Sequence, residues 1–201
     1  NFKVHHNLNC LIEENNIKEK NNFSIINLKS NEENLVQRFY DLSSLLLEII
    51  EEDVTIENLE KYISDLQNIF ADKKIASQST IVGLIGELAI IDMAQDTNFI
   101  VDKWRNKEKD KYDFLNNSNT LEVKATISSK REHNFSYEQL VNPPLNSYIA
   151  SVLVKSKSPG DKLYDFIKDI EKKITNKDLL YKFKKNIFID MDIEENNFSF
   201  D

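Results

Sequence analysis

Several kinds of residue and segment are scarce in this 201-residue sequence, which contains one cysteine, three glycines and three prolines. The single cysteine, Cys10, excludes an internal disulfide and a cysteine-based zinc site. So few glycines and prolines exclude collagen-like repeats and Gly- or Pro-rich linkers. No apolar run approaches the length of about 18 residues that a transmembrane helix needs, and no secretory leader is recognisable. We therefore expect no membrane association and a reducing, cytoplasmic location.

Charge is unevenly distributed along the chain, whose formal net charge is −8. Residues 1–100 carry a net charge of −9, whereas residues 151–185 carry +5. A globally acidic protein can still attract phosphates through a locally basic face. The alternative is that these lysines are ordinary solvated residues of amphipathic helices, and the charge distribution alone favours this second interpretation.

Hydrophobic periodicity predicts a helical first part of the chain. One or two strands are expected within residues 1–30, followed by an amphipathic helix over 32–52. Thr55 is a candidate N-cap for a second helix, and Ser77 or Ser79 for a third one that ends near Gln95. The third helix is apolar almost all round, so we expect it to be deeply packed.

The second part of the chain is predicted to be mixed. Alternation of apolar and polar residues predicts a half-buried strand over 121–127. Two basic helices are expected near residues 162–173 and 177–185. Shorter strands are expected at 99–101, 112–115, 147–154 and 187–189. We expect an α/β domain with a mixed sheet flanked by helices over residues 75–201, preceded by a region of strands and helices over residues 1–74.

The stretch richest in chemical information is Asp113, separated by eight residues from Glu122-Val123-Lys124. Strand alternation places Glu122 and Lys124 on one face, and a hairpin would bring Asp113 beside Glu122. Two carboxylates at a sheet edge form a site for a hard cation, typically Mg²⁺, and Lys124 would point at the same site. The alternative for Glu-x-Lys on a strand is an exposed ion pair.

Glu87 is a charged residue within the almost wholly apolar third helix, in the segment Gly83-Leu84-Ile85-Gly86-Glu87. A carboxylate in such a helix needs a partner or a metal, because burying an isolated charge is costly. Gly83 and Gly86 lower helix propensity, so we expect them to allow close approach of another backbone. The alternative is that Glu87 is exposed at a gap in the apolar stripe.

A polar segment with potential phosphate ligands follows the Glu-x-Lys strand. Ser136 and Gln139 have capping-box spacing, which predicts a helix start and fully explains that pair in structural terms. A helix start beside a metal site is also suited to bind phosphate, and Arg131, His133 and Ser136 are placed to reach a DNA backbone.

The pattern Asp-x(8)-Glu-Val-Lys resembles that of the PD-(D/E)XK nuclease superfamily, although Tyr112 replaces the proline before the first acid. The run from Gly83 to Leu140 resembles a branch whose members look like restriction or phage-defence components. The resemblance implies a restriction-endonuclease-like core in which Asp113 and Glu122 bind Mg²⁺, or Mn²⁺ in its place. It also implies that a preceding helix adds Glu87 to the metal site.

These considerations lead to the expectation of a metal-dependent DNA endonuclease. Asp113, Glu122, Glu87 and the Val123 carbonyl would hold the metal, and Lys124 would position the attacking water or stabilise charge. Arg131, His133, Ser136 and Gln139 are the expected DNA contacts. Other subunits of a defence system and a second copy of the chain are further expected partners. The alternative is a non-catalytic DNA-binding or assembly subunit that retains the fold.

Overall fold

The computed structural model describes residues 2–50, 55–70, 77–106, 110–117, 119–141, 146–190 and 199–200. The chain forms two compact units, residues 1–73 and 74–201. Among the described residues, none of the helices has both the length and the apolarity that crossing a membrane requires.

The first unit begins with an antiparallel hairpin of β1 (Phe2–Glu14) and β2 (Ile17–Leu28). The two residues that connect the strands, Asn15 and Asn16, have positive φ angles of 48° and 66°. Asparagine tolerates this left-handed region better than most residues, and two such residues in succession match the twist of paired strands. The expectation of strands within residues 1–30 is confirmed.

Two amphipathic helices complete the first unit, α1 (Glu33–Ile50) and α2 (Ile56–Ile69). The Thr55 hydroxyl caps α2 by accepting a hydrogen bond from the backbone N–H of Asn58 at 3.2 Å, as its sequence position predicts. Each helix buries its apolar face, which includes Leu42, Leu45, Leu46, Ile49, Leu66 and Ile69.

The second unit is built around a three-stranded mixed sheet in the order β3-β4-β5. β3 (Phe114–Asn116) pairs antiparallel with β4 (Asn119–Thr126), which pairs in parallel with β5 (Asn146–Leu153). A separate antiparallel pair joins β6 (Ser156–Lys162) to β7 (Ser199–Phe200). The helices are α3 (Gln78–Met93), α4 (Thr97–Lys103), α5 (Tyr137–Leu140), α6 (Leu163–Lys173) and α7 (Lys177–Asp190). This mixed α/β architecture confirms the expected fold class and fits a restriction-endonuclease-like core.

Two of the predicted strands are wrong, because helix capping and periodicity override local β-propensity. Residues 99–101 lie in α4, whose N-cap Asp96 accepts a hydrogen bond from the backbone N–H of Phe99 at 2.9 Å. Residues 187–189 continue α7, where Phe183 and Ile187 are both buried one turn apart.

α3 lies directly on the β4–β5 face of the sheet. A Cβ atom added to Gly86 would lie 2.7 Å from Ala125 Cβ and 3.3 Å from Val123 Cγ1, so only glycine allows this approach. A Cβ atom added to Gly83 would have nothing within 4 Å, so the expectation that Gly83 also lies at the contact between α3 and the sheet is wrong. The packing at Gly86 fixes the position of the next residue, Glu87.

Candidate functional site

Asp113 lies where β3 separates from β4. Phe114 pairs with Leu121 in the antiparallel ladder, so the preceding residue, Asp113, lies beside Glu122. At Asp113 a side chain replaces the backbone in the pairing of the two strands. The carboxylate oxygen Oδ2 accepts a hydrogen bond from the backbone N–H of Val123 at 2.7 Å. Its carbonyl turns the other way and accepts the backbone N–H of Arg105 at 2.9 Å. The divergence of the two strands therefore puts a carboxylate at the open edge of β4.

Glu122 and Lys124 project from the same face of β4, as strand alternation predicts. Lys124 Nζ lies 2.7 Å from Glu122 Oε1 and 5.3 Å from the centroid of the Phe135 ring. The two residues are ion-paired, but the alternative of an exposed pair is wrong, because Glu122 is only 6% exposed. The pair is a partly buried feature of the site, with Lys124 as its more accessible member.

Glu87 is buried, so the alternative that it is exposed at a gap in the apolar stripe is wrong. Its Oε2 accepts hydrogen bonds from Trp104 Nε1 at 2.5 Å and from Arg105 Nε at 2.7 Å. Its Oε1 pairs with Arg105 Nη2 at 2.5 Å. Trp104 is fully buried, so its ring packs in the core of the second unit. The charge of Glu87 is therefore compensated within the protein.

The electrostatics of the site oppose ionisation of Asp113. Burial raises the pKa of Asp113 from its ordinary value of 3.8 to about 7, and repulsion from Glu87 and then Glu122 adds to the increase. The Val123 N–H and the Arg105 guanidinium act in the opposite direction. A site that holds more carboxylate charge than it can stabilise binds either a proton or a cation.

The residues at this site fit a hard divalent cation in chemistry. Carboxylate and carbonyl oxygens are the ligands that Mg²⁺ prefers. Within the described ranges, however, no group of three or more His, Cys, Asp and Glu side chains is placed to hold a metal ion. A metal held at Asp113 and Glu122 would thus take its other ligands from backbone oxygen and water.

Arg131 and His133 lie beside the Lys124 end of the site. Both contact Ser151, the residue of β5 that pairs with Lys124. Arg131 Nη1 donates to the Ser151 carbonyl at 3.2 Å, and His133 Nε2 lies 2.7 Å from Ser151 Oγ. The segment after β4 is thereby held against the sheet next to Lys124.

Ser136 and Gln139 form the predicted capping box of α5. Gln139 Nε2 also donates to the Lys111 carbonyl at 3.3 Å, and the Tyr112 hydroxyl donates to the Gln139 carbonyl at the same distance. These bonds hold the turn that precedes Asp113, so Tyr112 has a structural role here. α5 is a single turn of four residues, which limits any helix-dipole effect on phosphate. DNA contact by Ser136 and Gln139 stays a prediction.

The lysines of α6 and α7 are largely compensated. Lys168 and Lys184 both pair with Glu171, at 3.0 and 2.9 Å. Lys172 pairs with Asp169, and Lys173 with Asp92, each at 2.7 Å. These ion pairs are in keeping with the interpretation that the lysines are ordinary residues of amphipathic helices, and only the Lys173–Asp92 pair draws on an acid outside residues 151–185.

Sequence reasoning missed the roles of Arg105 and Ser151. A buried glutamate in an apolar helix requires a cation, and the sequence contains only three arginines: Arg38, Arg105 and Arg131. That scarcity, together with the adjacent tryptophan, was the available signal for Arg105. Ser151 lies within a predicted strand, and the residues around it give no indication that it contacts Arg131 and His133.

Comparison with known families identifies a matching family model. The model of a family described as “Putative PD-(D/E)XK family member, (DUF4420)” matches residues 1–197. No curated protein and no solved structure matches the chain.

Proposed function

The chain belongs to this PD-(D/E)XK family, and from that premise we propose that it is a metal-dependent deoxyribonuclease of a restriction or phage-defence system. One observation carries the proposal. The Asp113 carboxylate accepts the Val123 N–H beside Glu122, in a site where burial, followed by repulsion from Glu87 and Glu122, raises the pKa of Asp113 to about 7. Such a concentration of negative charge at a sheet edge favours a divalent cation.

Asp113 and Glu122 would hold Mg²⁺ or Mn²⁺, together with the Val123 carbonyl. The N–H and C=O of one strand residue point to the same edge, so the Val123 carbonyl faces the edge on which Asp113 lies. When bound, the metal lowers the pKa of a coordinated water and neutralises charge on the phosphate.

Lys124 supplies the remaining positive charge at the reacting phosphate. It lies between Glu122 and the Phe135 ring, which keep its ammonium group on the Glu122 face of β4. A bound cation would take over the neutralisation of Glu122, and Lys124 could then orient the attacking water or stabilise the phosphate.

Arg131 and His133 would contact the DNA backbone next to the scissile phosphate. Arg131 is exposed and His133 half-buried, and both are anchored on Ser151 beside Lys124. Cationic and hydrogen-bonding side chains at this position suit phosphate contacts that set the register of the duplex without reading its sequence.

A non-catalytic DNA-binding or assembly subunit is the second candidate. It is favoured by the ion pair between Lys124 and Glu122, which occupies both side chains. It is also favoured by the lack of a group of three or more potential metal ligands in the described part of the chain. Other defence subunits, or a second copy of the chain, are proposed as partners in either case.

Cleavage of DNA by the full chain with Mg²⁺ or Mn²⁺ tests which candidate is correct. The nuclease proposal predicts cleavage by the wild type and none by Glu122→Gln. The matched control is Glu132→Gln, because the Glu132 side chain is 81% exposed and is not among the proposed metal ligands or DNA contacts. Absence of cleavage by the wild type, with and without cognate partners, would favour the non-catalytic candidate.

A further inference from the structure

Arg105 is the cation that the buried carboxylate of Glu87 uses. Its guanidinium bonds both carboxylate oxygens, and Trp104 Nε1 adds a third hydrogen bond to Oε2. A bidentate pair of this kind is stronger and more directional than a single lysine contact. Glu87 could bind a metal ion only by giving up part of this arrangement.

The backbone of Arg105 is held in an unusual conformation. Its φ angle is 42°, in the left-handed region that residues other than glycine rarely adopt. Its N–H donates to the Asp113 carbonyl at 2.9 Å, and the preceding Trp104 forms an isolated bridge with Phe114. The surrounding contacts therefore fix this conformation, as is common at functional sites.

α7 secures the same segment from the other side. Lys182 Nζ donates to the Asp102 carbonyl at 2.7 Å and to Asn106 Oδ1 at 2.6 Å. Residues on both sides of Arg105 are thus tied to a helix, and the guanidinium carbon lies 5.3 Å from the centroid of the Trp104 ring. The cation is presented to Glu87 by a constrained segment.

The two cations of the site differ in how readily they can give way to a metal. Lys124 contacts Glu122 through one flexible ammonium group, and a contact of that kind is easily exchanged. Arg105 grips Glu87 with two groups of a planar guanidinium, within a carboxylate that is only 5% exposed. An incoming cation would therefore displace the lysine from Glu122 and leave the Glu87 pair intact.

We propose that Arg105 is a positioning residue that prevents Glu87 from coordinating metal, so that the site binds a single divalent ion through Asp113 and Glu122. The inference rests on the proposed metal-dependent function and deepens it. It replaces the sequence-based expectation that Glu87 is a metal ligand. In this arrangement the fixed guanidinium provides positive charge near Asp113 where a second ion would otherwise lie.

Binding of Mn²⁺ to the full chain, measured by electron paramagnetic resonance and titration calorimetry, tests the proposal independently of cleavage. We expect one ion per chain in the wild type and one in Glu87→Gln, without the spin coupling of two neighbouring ions. Arg105→Gln removes the guanidinium from the Glu87 carboxylate and should admit a second ion, whereas the double variant Arg105→Gln/Glu87→Gln should return to one.

Two coupled ions in the wild type, reduced to one in Glu87→Gln, would overturn the role of Arg105 while leaving the proposed function in place. A wild type that binds no Mn²⁺, or whose binding is unchanged in Asp113→Asn, would overturn both. Thermal unfolding shows whether each variant is folded. If Arg105→Gln does not fold, the wild type and Glu87→Gln still decide the ligand role of Glu87.

Discussion

Replacing Asp113 by asparagine should stabilise the metal-free protein relative to the wild type, and this difference should grow as the pH rises. Asparagine retains an oxygen that can accept the Val123 N–H but cannot ionise. In the folded wild type, burial first and then repulsion from Glu87 raise the pKa of Asp113 to about 7. The Glu87 carboxylate is paired with the Arg105 guanidinium.

The direction and size of the effect follow from proton linkage. Because the folded-state pKa is raised, the stabilisation by protonated Asp113 is complete below its ordinary pKa of 3.8 and is lost as the pH rises through about 7. Between these values the wild type should lose about 1.4 kcal/mol of unfolding free energy per pH unit relative to the variant. Partial exposure to water weakens the effect, so we expect a total difference of about 2–4 kcal/mol.

Urea unfolding in EDTA, from about pH 4 to about pH 8, measures this difference. The gap between Asp113→Asn and the wild type should widen up to neutral pH and then level off. Glu132→Gln, which changes an exposed carboxylate, should follow the wild type. Parallel stability curves for the wild type and Asp113→Asn would refute the claim that the site opposes ionisation of Asp113.

Further substitutions test other parts of the structure. Lys124→Ala should abolish cleavage and lower DNA affinity by less than about threefold. The control is Lys130→Ala, which changes an exposed lysine, and equal cleavage by both variants would remove Lys124 from the site. Arg131→Ala should weaken DNA binding and reduce its salt slope by about one, and a salt series by fluorescence anisotropy identical to that of the wild type would contradict this. Gly86→Ala should destabilise the fold by about 1–3 kcal/mol, because the new Cβ would lie 2.7 Å from Ala125 Cβ. Gly83→Ala, with nothing within 4 Å, should stabilise it by up to about 1 kcal/mol in urea unfolding, and the opposite order would contradict the packing of α3.

The parts of the fold that follow from the sequence are those that depend on local periodicity. Period-two alternation identifies the face shared by Glu122 and Lys124, and the capping-box spacing identifies the start of α5 at Ser136. α4 could not be recognised from its short apolar run, since the choice between strand and helix depends on the cap provided by Asp96.

Contacts between distant residues account for what sequence reasoning missed. The Glu87–Arg105 pair joins α3 to a residue just after the end of α4, 18 positions along the chain, where Arg105 has positive φ, and no periodic pattern encodes such a contact. The same limitation applies to Gly83 and Gly86. Both occur in α3, but only the register of the helix on β4 shows that Gly86 meets the sheet.

Location of bound Mn²⁺ by anomalous diffraction from crystals of the full chain tests the central claim most directly. The proposed site predicts an anomalous peak at coordination distance, about 2.0–2.6 Å, from the carboxylates of both Asp113 and Glu122. It also predicts that Glu87 remains paired with Arg105 and does not touch the ion. Mn²⁺ bound only elsewhere on the protein, with neither Asp113 nor Glu122 in contact with it, would contradict the account.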